Sequence, residues 1–175
     1  FQELVPELEA LGHRFHTKSD TEVIVHAWEA WGEDCVLRLR GMFAFALWDR
    51  NRQTLFMARD RLGVKPLFYA LLDDGTLLFG SELKSLLVHG GLKRELDPLA
   101  VEEYFALGYV AEPRTIFKQA KKLSPGHLLS WRRGAAEPTP RAYWDIHFTG
   151  DNPIGLDDAC DELRAFIDDV EQCAE

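Results

Sequence analysis

The most constraining feature of the sequence is a pair of apolar runs within residues 41–69. Residues 43–48 are apolar on both faces, and residues 55–58 are apolar again after a polar turn. Strands with this near-continuous pattern are covered on both sides in folded proteins. The pattern therefore predicts an antiparallel hairpin at the centre of a sheet. Gly63 and Pro66 interrupt the chain before the next apolar run, so we expect a sharp bend between strands of this one sheet.

A second hairpin and several helices are predicted around the first hairpin. Asp73-Asp74-Gly75 lies between two apolar runs, and Asp-Gly is a strong turn signal. Helical spacing and capping signals predict helices over residues 1–11, 19–31, 81–88 and 97–107, with a further amphipathic helix from residue 156. Ser81-Glu82 would open the third of these helices, and Asp97 would be the N-cap of the fourth. A strand is predicted at residues 127–131, whereas residues 109–122 show no clean periodicity.

The second helix begins with Ser19-Asp20-Thr21-Glu22, which has the pattern of a capping box. We expect Ser19 to be the N-cap and Glu22 to reach back to it. Asp20 lies in the first turn, where the helix dipole stabilises a carboxylate by about 0.3 to 1 kcal/mol. The residues alone therefore explain Asp20 as a helix-stabilising group without any ligand.

Composition excludes several classes of function. Lys and Arg number 20 against 29 Asp and Glu, giving a net charge of -9, and the basic residues form no stripe. We therefore expect no nucleic acid partner. No apolar run approaches the roughly 20 residues that a membrane helix needs, so we expect a soluble protein without a membrane partner. Three widely spaced cysteines favour a reducing, cytoplasmic setting.

Candidate catalytic and ligand-binding groups are few. Cys35 lies beside apolar neighbours in a helical segment, where inert buried thiols are the usual case. His13 and His16 are three residues apart in a brief strand or connector, where that spacing points them to opposite faces, so we expect no metal site. Arg59, Asp60, Arg61 and Lys65 could hold an anion, but ordinary ion pairing is favoured. These residues alone predict only a soluble α+β domain.

Five segments of the sequence resemble a known family and so imply more than a fold class. They are G-H-R-F-H-T-K-S-D-T-E-V-I-V-H-A-W-E-A-W-G-E-D-C from Gly12, G-M-F-A-F-A-L-W-D from Gly41, A-R-D-R-L-G-V-K-P-L-F-Y from Ala58, G-S-E-L-K-S-L-L from Gly80 and L-S-P-G-H from Leu123. In this order they resemble the glutaminase domain of glutamine-hydrolysing asparagine synthases, and the resemblance runs from residue 1 to about residue 145.

The resemblance implies a fold and a reaction. The fold would be an α+β, four-layer α-β-β-α sandwich of the N-terminal nucleophile hydrolases, with two antiparallel sheets, incomplete in this chain. An N-terminal cysteine, with its own α-amino group as base, would attack the side-chain amide of glutamine. The ammonia released would pass to a synthetase domain, where ATP and Mg²⁺ activate aspartate as an acyl-adenylate. This chain itself would carry no cofactor.

Only one residue of the family's glutamine site can be assigned here. Asp20 matches the aspartate that binds the α-amino group of glutamine, whereas the nucleophilic cysteine, the oxyanion-hole segment and the carboxylate-binding arginine would lie before Phe1. The S-G-G-x-D-S loop of the synthetase domain is absent from the sequence. We therefore expect residues 1–147 to be a partial amidotransferase domain, 148–155 a linker, and 156–175 the first helix of a truncated synthetase domain. The chain alone is expected to be inactive.

Two other interpretations remain open. The parent protein could amidate an acid other than aspartate, or could resemble β-lactam synthetases that have lost glutaminase activity. Alternatively, the chain could be a non-catalytic interaction domain. Unpaired sheet edges and the uncovered apolar stripe of the last helix would then favour a homodimer.

Overall fold

The structure is a computed structural model that describes residues 1–135, 137–147 and 154–172. The chain divides into two units, residues 1–145 and 146–175, which are treated separately. The second unit contains helix α6 (Leu156–Gln172), which begins where the sequence predicts it. Its assignment to a synthetase domain stays a prediction, as do the expected linker and domain bounds. None of the described helices is both long and apolar enough to cross a bilayer.

The first unit alternates helices and strands. Its helices are α1 (Leu4–Ala10), α2 (Asp20–Trp31), α3 (Cys35–Arg38), α4 (Leu83–Leu86) and α5 (Pro98–Leu107), with a 3₁₀ turn at Gly32–Asp34. Its strands are β1 (Ala44–Asp49), β2 (Thr54–Arg59), β3 (Phe68–Leu71), β4 (Leu77–Gly80), β5 (Ala120–Lys122), β6 (His127–Arg132) and β7 (Arg141–Ala142).

These strands form two antiparallel sheets. The first sheet has the order β1-β2-β6-β7 and the second has the order β4-β3-β5. Both predicted hairpins are confirmed, with Ala44 opposite Arg59 in the first and Phe68 opposite Gly80 in the second. The expectation that the bend keeps both hairpins in one sheet is wrong. The bend carries the chain from the first sheet to the second, so no strand pairing joins the two hairpins.

Three stacked hydrophobic clusters show how the layers pack. The first joins α1, α2 and α3 to one face of the first sheet, the second joins the two sheets, and the third joins the second sheet to α4. Phe56 and Ala58 of β2 enter the first cluster, whereas Leu55 and Met57 enter the second. Since successive side chains of a strand point to opposite faces, one strand serves both cores. The predicted α-β-β-α order is confirmed.

The turn of the first hairpin is fixed by Asp49 at the end of β1. Its Oδ1 accepts hydrogen bonds from the backbone N–H groups of Asn51 and Arg52, each at 2.9 Å. Its Oδ2 accepts a hydrogen bond from Trp28 Nε1 at 3.0 Å. Aspartate is common at turns because its side chain can replace the missing backbone acceptor. Here the same carboxylate also ties the hairpin to α2.

The chain leaves β2 through a charged segment that is buried. Arg59 donates hydrogen bonds to the carbonyl oxygens of Gly63, Lys65 and Leu123 and to Glu112 Oε1, all at 2.6 to 2.7 Å. The ion pair of Arg59 with Glu112 agrees with the ordinary ion pairing that the sequence favours over anion binding. This guanidinium is therefore committed to holding the bend together.

Asp60 and Gly63 complete the bend. Asp60 is 1% exposed, and its two carboxylate oxygens accept hydrogen bonds from the backbone N–H groups of Val64 and Lys65, each at 3.0 Å. Burial acts to raise the pKa of Asp60, but these backbone donors outweigh burial and lower it. Gly63 has φ +68°, and a Cβ there would lie 2.7 Å from Pro125 Cγ. Only glycine fits both restrictions.

Replacing Asp60 with Asn should destabilise the first unit by about 1 to 3 kcal/mol, because the backbone N–H groups of Val64 and Lys65 lose the charged acceptor that the buried Asp60 side chain provides. Urea denaturation at pH 7 measures this change. Asp74→Asn is the control, since Asp74 is exposed and its Oδ1 accepts a hydrogen bond from Thr76 N within its own turn. Equal losses in both variants would contradict the structural role of Asp60.

The same substitution should change the pH dependence of stability. The pKa of Asp60 is lowered on folding, so its stabilisation is complete above the unfolded value and is lost as pH falls through the folded value. The stability difference between the parent chain and Asp60→Asn should therefore shrink below about pH 4. A difference that stays constant down to pH 2 would count against this account.

Candidate functional site

An open groove of about 750 Å³ lies where the first sheet, the second sheet and α2 meet. Strand β1 lies at the edge of the first sheet and β4 at the edge of the second, and each has one strand partner in the described part of the chain. The lining includes Asp20, Thr21, Ile24 and Val25 of α2, residues 42–48 around β1, residues 65–67 after the bend, and residues 79–81. Its walls are mainly apolar, with few charged groups.

Asp20 is the carboxylate on the groove wall. Its Oδ1 accepts hydrogen bonds from Thr21 N at 2.8 Å and from Ser19 Oγ at 3.3 Å. Within the described residues, no hydrogen bond or ion pair involves its Oδ2. One carboxylate oxygen thus stabilises the start of α2, while the other remains available to a cationic group in the groove. The structural and ligand-binding interpretations of Asp20 are compatible.

The local capping pattern explains why Asp20 is held in place. Ser19 is the N-cap, as predicted, and its Oγ accepts a hydrogen bond from Thr21 N at 3.2 Å. Glu22 does not reach back to Ser19, so that half of the predicted capping box is wrong. Its carboxylate instead accepts from His16 N at 2.7 Å, from Thr17 N at 2.6 Å and from the Thr17 hydroxyl. Glu22 therefore fixes the connector that leads into α2.

Of the other candidate residues, Lys65 lines the groove, whereas Cys35 and Arg61 do not. Cys35 is buried, and burial raises the pKa of its thiol to about 12, so it is not a nucleophile at neutral pH. Arg61 donates hydrogen bonds to the carbonyl oxygens of Leu37 and Leu39. Asp20 is therefore the one predicted site residue that the structure places there.

Sequence reasoning missed two groups that line the groove. From the sequence, Lys65 is explained only as part of a charged loop and Ser81 only as part of the Ser81-Glu82 helix start, whereas α4 begins at Leu83 with Glu82 as its N-cap and Gly80 and Ser81 line the groove. Both segments lie within the motifs that carry the family resemblance. Their position in these motifs is the one signal in the sequence that could have indicated a place in the groove.

His13 and His16 do not form a site together, because residues 13–17 form a connector and not a strand. His13 instead lies next to His26 and Glu29 of α2, with the three ligand atoms within 4.8 Å of one another. Local spacing patterns relate only histidines that are close in the sequence. His13 and His26 are far apart in the sequence, so such patterns do not predict this grouping.

Comparisons with known proteins show the family to which the chain belongs. The sequence profile described as a glutamine amidotransferase domain matches residues 1–144. The chain belongs to this family. The chain is also 41% identical over 170 residues to asparagine synthetase [glutamine-hydrolyzing] 3 of Bacillus subtilis, covering 97% of this chain and 27% of that protein. Asparagine synthetase [glutamine-hydrolyzing] 1 of the same organism is 43% identical over 146 residues, covering 83% and 23%.

A solved structure supports the fold of the amidotransferase domain. Glutamine phosphoribosylpyrophosphate amidotransferase from B. subtilis has a TM-score of 0.53 and 19% sequence identity, covering 82% of this chain and 26% of that chain. At this identity the similarity concerns the fold alone, and it supports the predicted arrangement of two antiparallel sheets between helices. The chain spans about a quarter of the length of the relatives it matches.

Replacing Glu22 with Gln should lower the melting temperature of the amidotransferase domain and flatten its dependence on pH. Hydrogen bonds from the Thr17 hydroxyl and from His16 N lower the pKa of Glu22 from 4.5 to about 2. Its stabilisation is therefore present above pH 4.5 and is lost as pH falls toward 2. Thermal melts between pH 2 and 7 would measure this difference.

Glu9→Gln is a suitable control for Glu22→Gln, because Glu9 is exposed and its carboxylate makes no hydrogen bond within the described residues. This control should melt like the parent chain across the whole range. If Glu22→Gln and Glu9→Gln have the same pH profile, Glu22 does not fix the connector.

Proposed function

We propose that the groove binds glutamine and that Asp20 Oδ2 accepts hydrogen bonds from its α-ammonium group. The observation that carries this proposal is the position of Asp20, whose Oδ1 is engaged at the start of α2 while its Oδ2 is available to the groove. A charged donor and a carboxylate form hydrogen bonds of about 2.7 to 2.9 Å. The ammonium group of an amino acid fits this requirement.

The groove has apolar walls that can strengthen the ion pair between Asp20 and a bound ammonium group. Asp20 is exposed, and an exposed pair contributes only about 0 to 1 kcal/mol. Apolar side chains of β1 and α2 line the remaining wall, so a bound amino acid would displace water and strengthen the pairing. Lys65 adds a positive charge to the lining, which suits a substrate that also carries a carboxylate.

Hydrolysis of the glutamine side chain needs a nucleophile that the described residues do not bring to the groove. In the proposed reaction, the N-terminal cysteine expected for the family attacks the amide carbon, ammonia leaves, and water hydrolyses the thioester to glutamate. The segment that carries such a cysteine would have to enter beside β1 or β4. Among the described residues the outer edges of both strands have no strand partner, which is compatible with the addition of further strands.

We extend the proposal to the parent protein on the basis of its relatives. Two relatives are named glutamine-hydrolyzing asparagine synthetases, so the ammonia would be used to amidate aspartate in a cytoplasmic, ATP- and Mg²⁺-dependent synthetase domain. Helix α6 would then be the first element of that domain. Amidation of another acid, a β-lactam synthetase-like role and a purely structural domain are not favoured by these relatives.

Asp20 should discriminate glutamine from an analogue that lacks only the α-amino group. We expect L-glutamine to bind the chain about tenfold more tightly than glutaramic acid, since a charge-assisted hydrogen bond contributes roughly 1.5 kcal/mol. Asp20→Asn should abolish this preference. Ligand-observed NMR titrations of the parent chain and the variant measure both affinities.

Asp157→Asn is the matched control for Asp20→Asn, because Asp157 is also an exposed aspartate in the first turn of a helix. This control removes the same charge from a different helix and should keep the tenfold preference. If Asp20→Asn also keeps it, Asp20 does not bind the α-ammonium group and the proposal fails.

The chain by itself should release no glutamate from glutamine, because Cys35, the cysteine within residues 1–145, is buried and does not line the groove. A coupled glutamate dehydrogenase assay on purified chain measures this, and heat-denatured chain gives the background. Glutamate release above that background, abolished by Asp20→Asn, would show that the described residues contain a nucleophile that we have not identified.

A further inference from the structure

The structure contains a cluster of two histidines and one glutamate away from the groove. His26 Nδ1 lies 2.9 Å from Glu29 Oε2, and His13 Nδ1 lies 3.4 Å from the same oxygen. The two imidazole rings have centroids 4.8 Å apart. Two ring nitrogens and a carboxylate oxygen thus converge on one point. We propose that His13, His26 and Glu29 bind a divalent transition metal ion of the Zn²⁺ type.

The separations fit the ligand geometry of this ion. Tetrahedral Zn²⁺ with bonds of about 2.0 to 2.1 Å places its ligand atoms about 3.3 Å apart. The two distances to Glu29 Oε2 lie on either side of that value, and all three ligand atoms lie within 4.8 Å of one another. A modest rotation of one imidazole ring would bring the two most widely separated ligand atoms close enough to bind the same ion. Two histidines and one glutamate also form a donor set that Zn²⁺ uses in other proteins.

Burial makes the cluster a partly enclosed site with one open side. The His13 and His26 side chains are only 18% and 16% exposed, whereas Glu29 is 54% exposed. Phe15 packs edge-on against the His26 ring, with centroids 4.8 Å apart. The histidines are therefore held in position, and an ion and its fourth ligand, a water molecule, can enter past Glu29.

An unpartnered ring nitrogen points to the same conclusion. His26 Nε2 is buried and makes no hydrogen bond within the described residues, although Glu22 Oε1 lies 3.7 Å away. A metal ion on Nδ1 would place the imidazole proton on Nε2, facing that carboxylate. Metal-bound histidines usually donate their second N–H to a carboxylate or carbonyl oxygen. Glu22 is positioned to accept after a small shift.

Charge also favours a cation at this point. Glu22 and Glu29 both face the histidine pair, and in the described part of the chain neither forms an ion pair with Lys or Arg. A dication would offset the two negative charges. The spacing Glu22, His26, Glu29 places these residues on one face of α2, roughly 140° around the helix from the residues that line the groove. The cluster is therefore separate from the proposed glutamine site.

Binding would cross-link the connector to the middle of α2, because His13 lies before the helix while His26 and Glu29 lie within it. The expected result is one Zn²⁺ per untagged chain by isothermal titration calorimetry. The melting temperature should rise by several degrees in excess Zn²⁺ and return to its starting value with EDTA. Co²⁺ should give the visible absorption of a four-coordinate nitrogen and oxygen site.

Glu29→Gln and His26→Gln should each weaken Zn²⁺ binding at least tenfold. Glu29 is exposed, so Glu29→Gln keeps the fold even if His26→Gln does not, and melts in EDTA check this directly. His16→Gln is the matched control, because His16 is an exposed histidine of the same connector. That control should bind Zn²⁺ like the parent chain.

A thiolate site elsewhere is the main competing explanation for any binding. Cys160→Ser/Cys173→Ser should bind Zn²⁺ unchanged if the proposed site is correct. The proposal is overturned if this double variant loses binding, if Glu29→Gln retains it, or if the parent chain binds no Zn²⁺ at all.

Discussion

Strand β2 has to satisfy two hydrophobic cores at once, and the arrangement of the other layers depends on it. Phe56 and Ala58 face the helices, while Leu55 and Met57 face the second sheet. The side chains of a strand alternate, so a shift of one residue in register would exchange these two sets between the cores. At the end of β2, the buried side chains of Arg59 and the adjoining Asp60 form hydrogen bonds that direct the chain into the second sheet. Burial on both faces and a fixed exit therefore determine where α2 and the groove lie.

Much of this fold could be predicted from the sequence, because its signals are local. The two hairpins have polar turns between apolar runs, and α2 and α5 have their predicted N-caps, Ser19 and Asp97. Strand β5 was not predicted, since it has three residues, two of them lysine, and no readable alternation. The passage from one sheet to the other was also missed. It depends on contacts of Arg59 with residues as distant as Leu123, which no local pattern contains.

The candidate site was predictable only through the family resemblance. Asp20 alone looked like an ordinary helix-stabilising residue, and the structure shows that its Oδ1 has that role. A role for its Oδ2 can be proposed only from the groove. The groove could not be predicted, because its walls come from segments far apart in the sequence. The His13, His26 and Glu29 cluster was missed for the same reason, since the connector folds back along α2. The homodimer expected from unpaired sheet edges stays a prediction.

Helix α2 therefore combines several functions on different faces. Val23, Ala27 and Trp28 are buried in the first core, Asp20 and its neighbours line the groove, and Glu22 holds the connector in place. A substitution on one face of α2 can shift the whole helix, but the residues on each face make their own contacts. Substitutions on these faces can therefore be separated experimentally.

The most direct test of the central claim is to map the backbone amide shifts of ¹⁵N-labelled chain during titration with L-glutamine. The account predicts that the largest shifts fall at residues 20–25, 42–48 and 79–81, which border the groove. Shifts concentrated elsewhere, or no saturable shifts at millimolar glutamine, would contradict the assignment of the groove as the glutamine site.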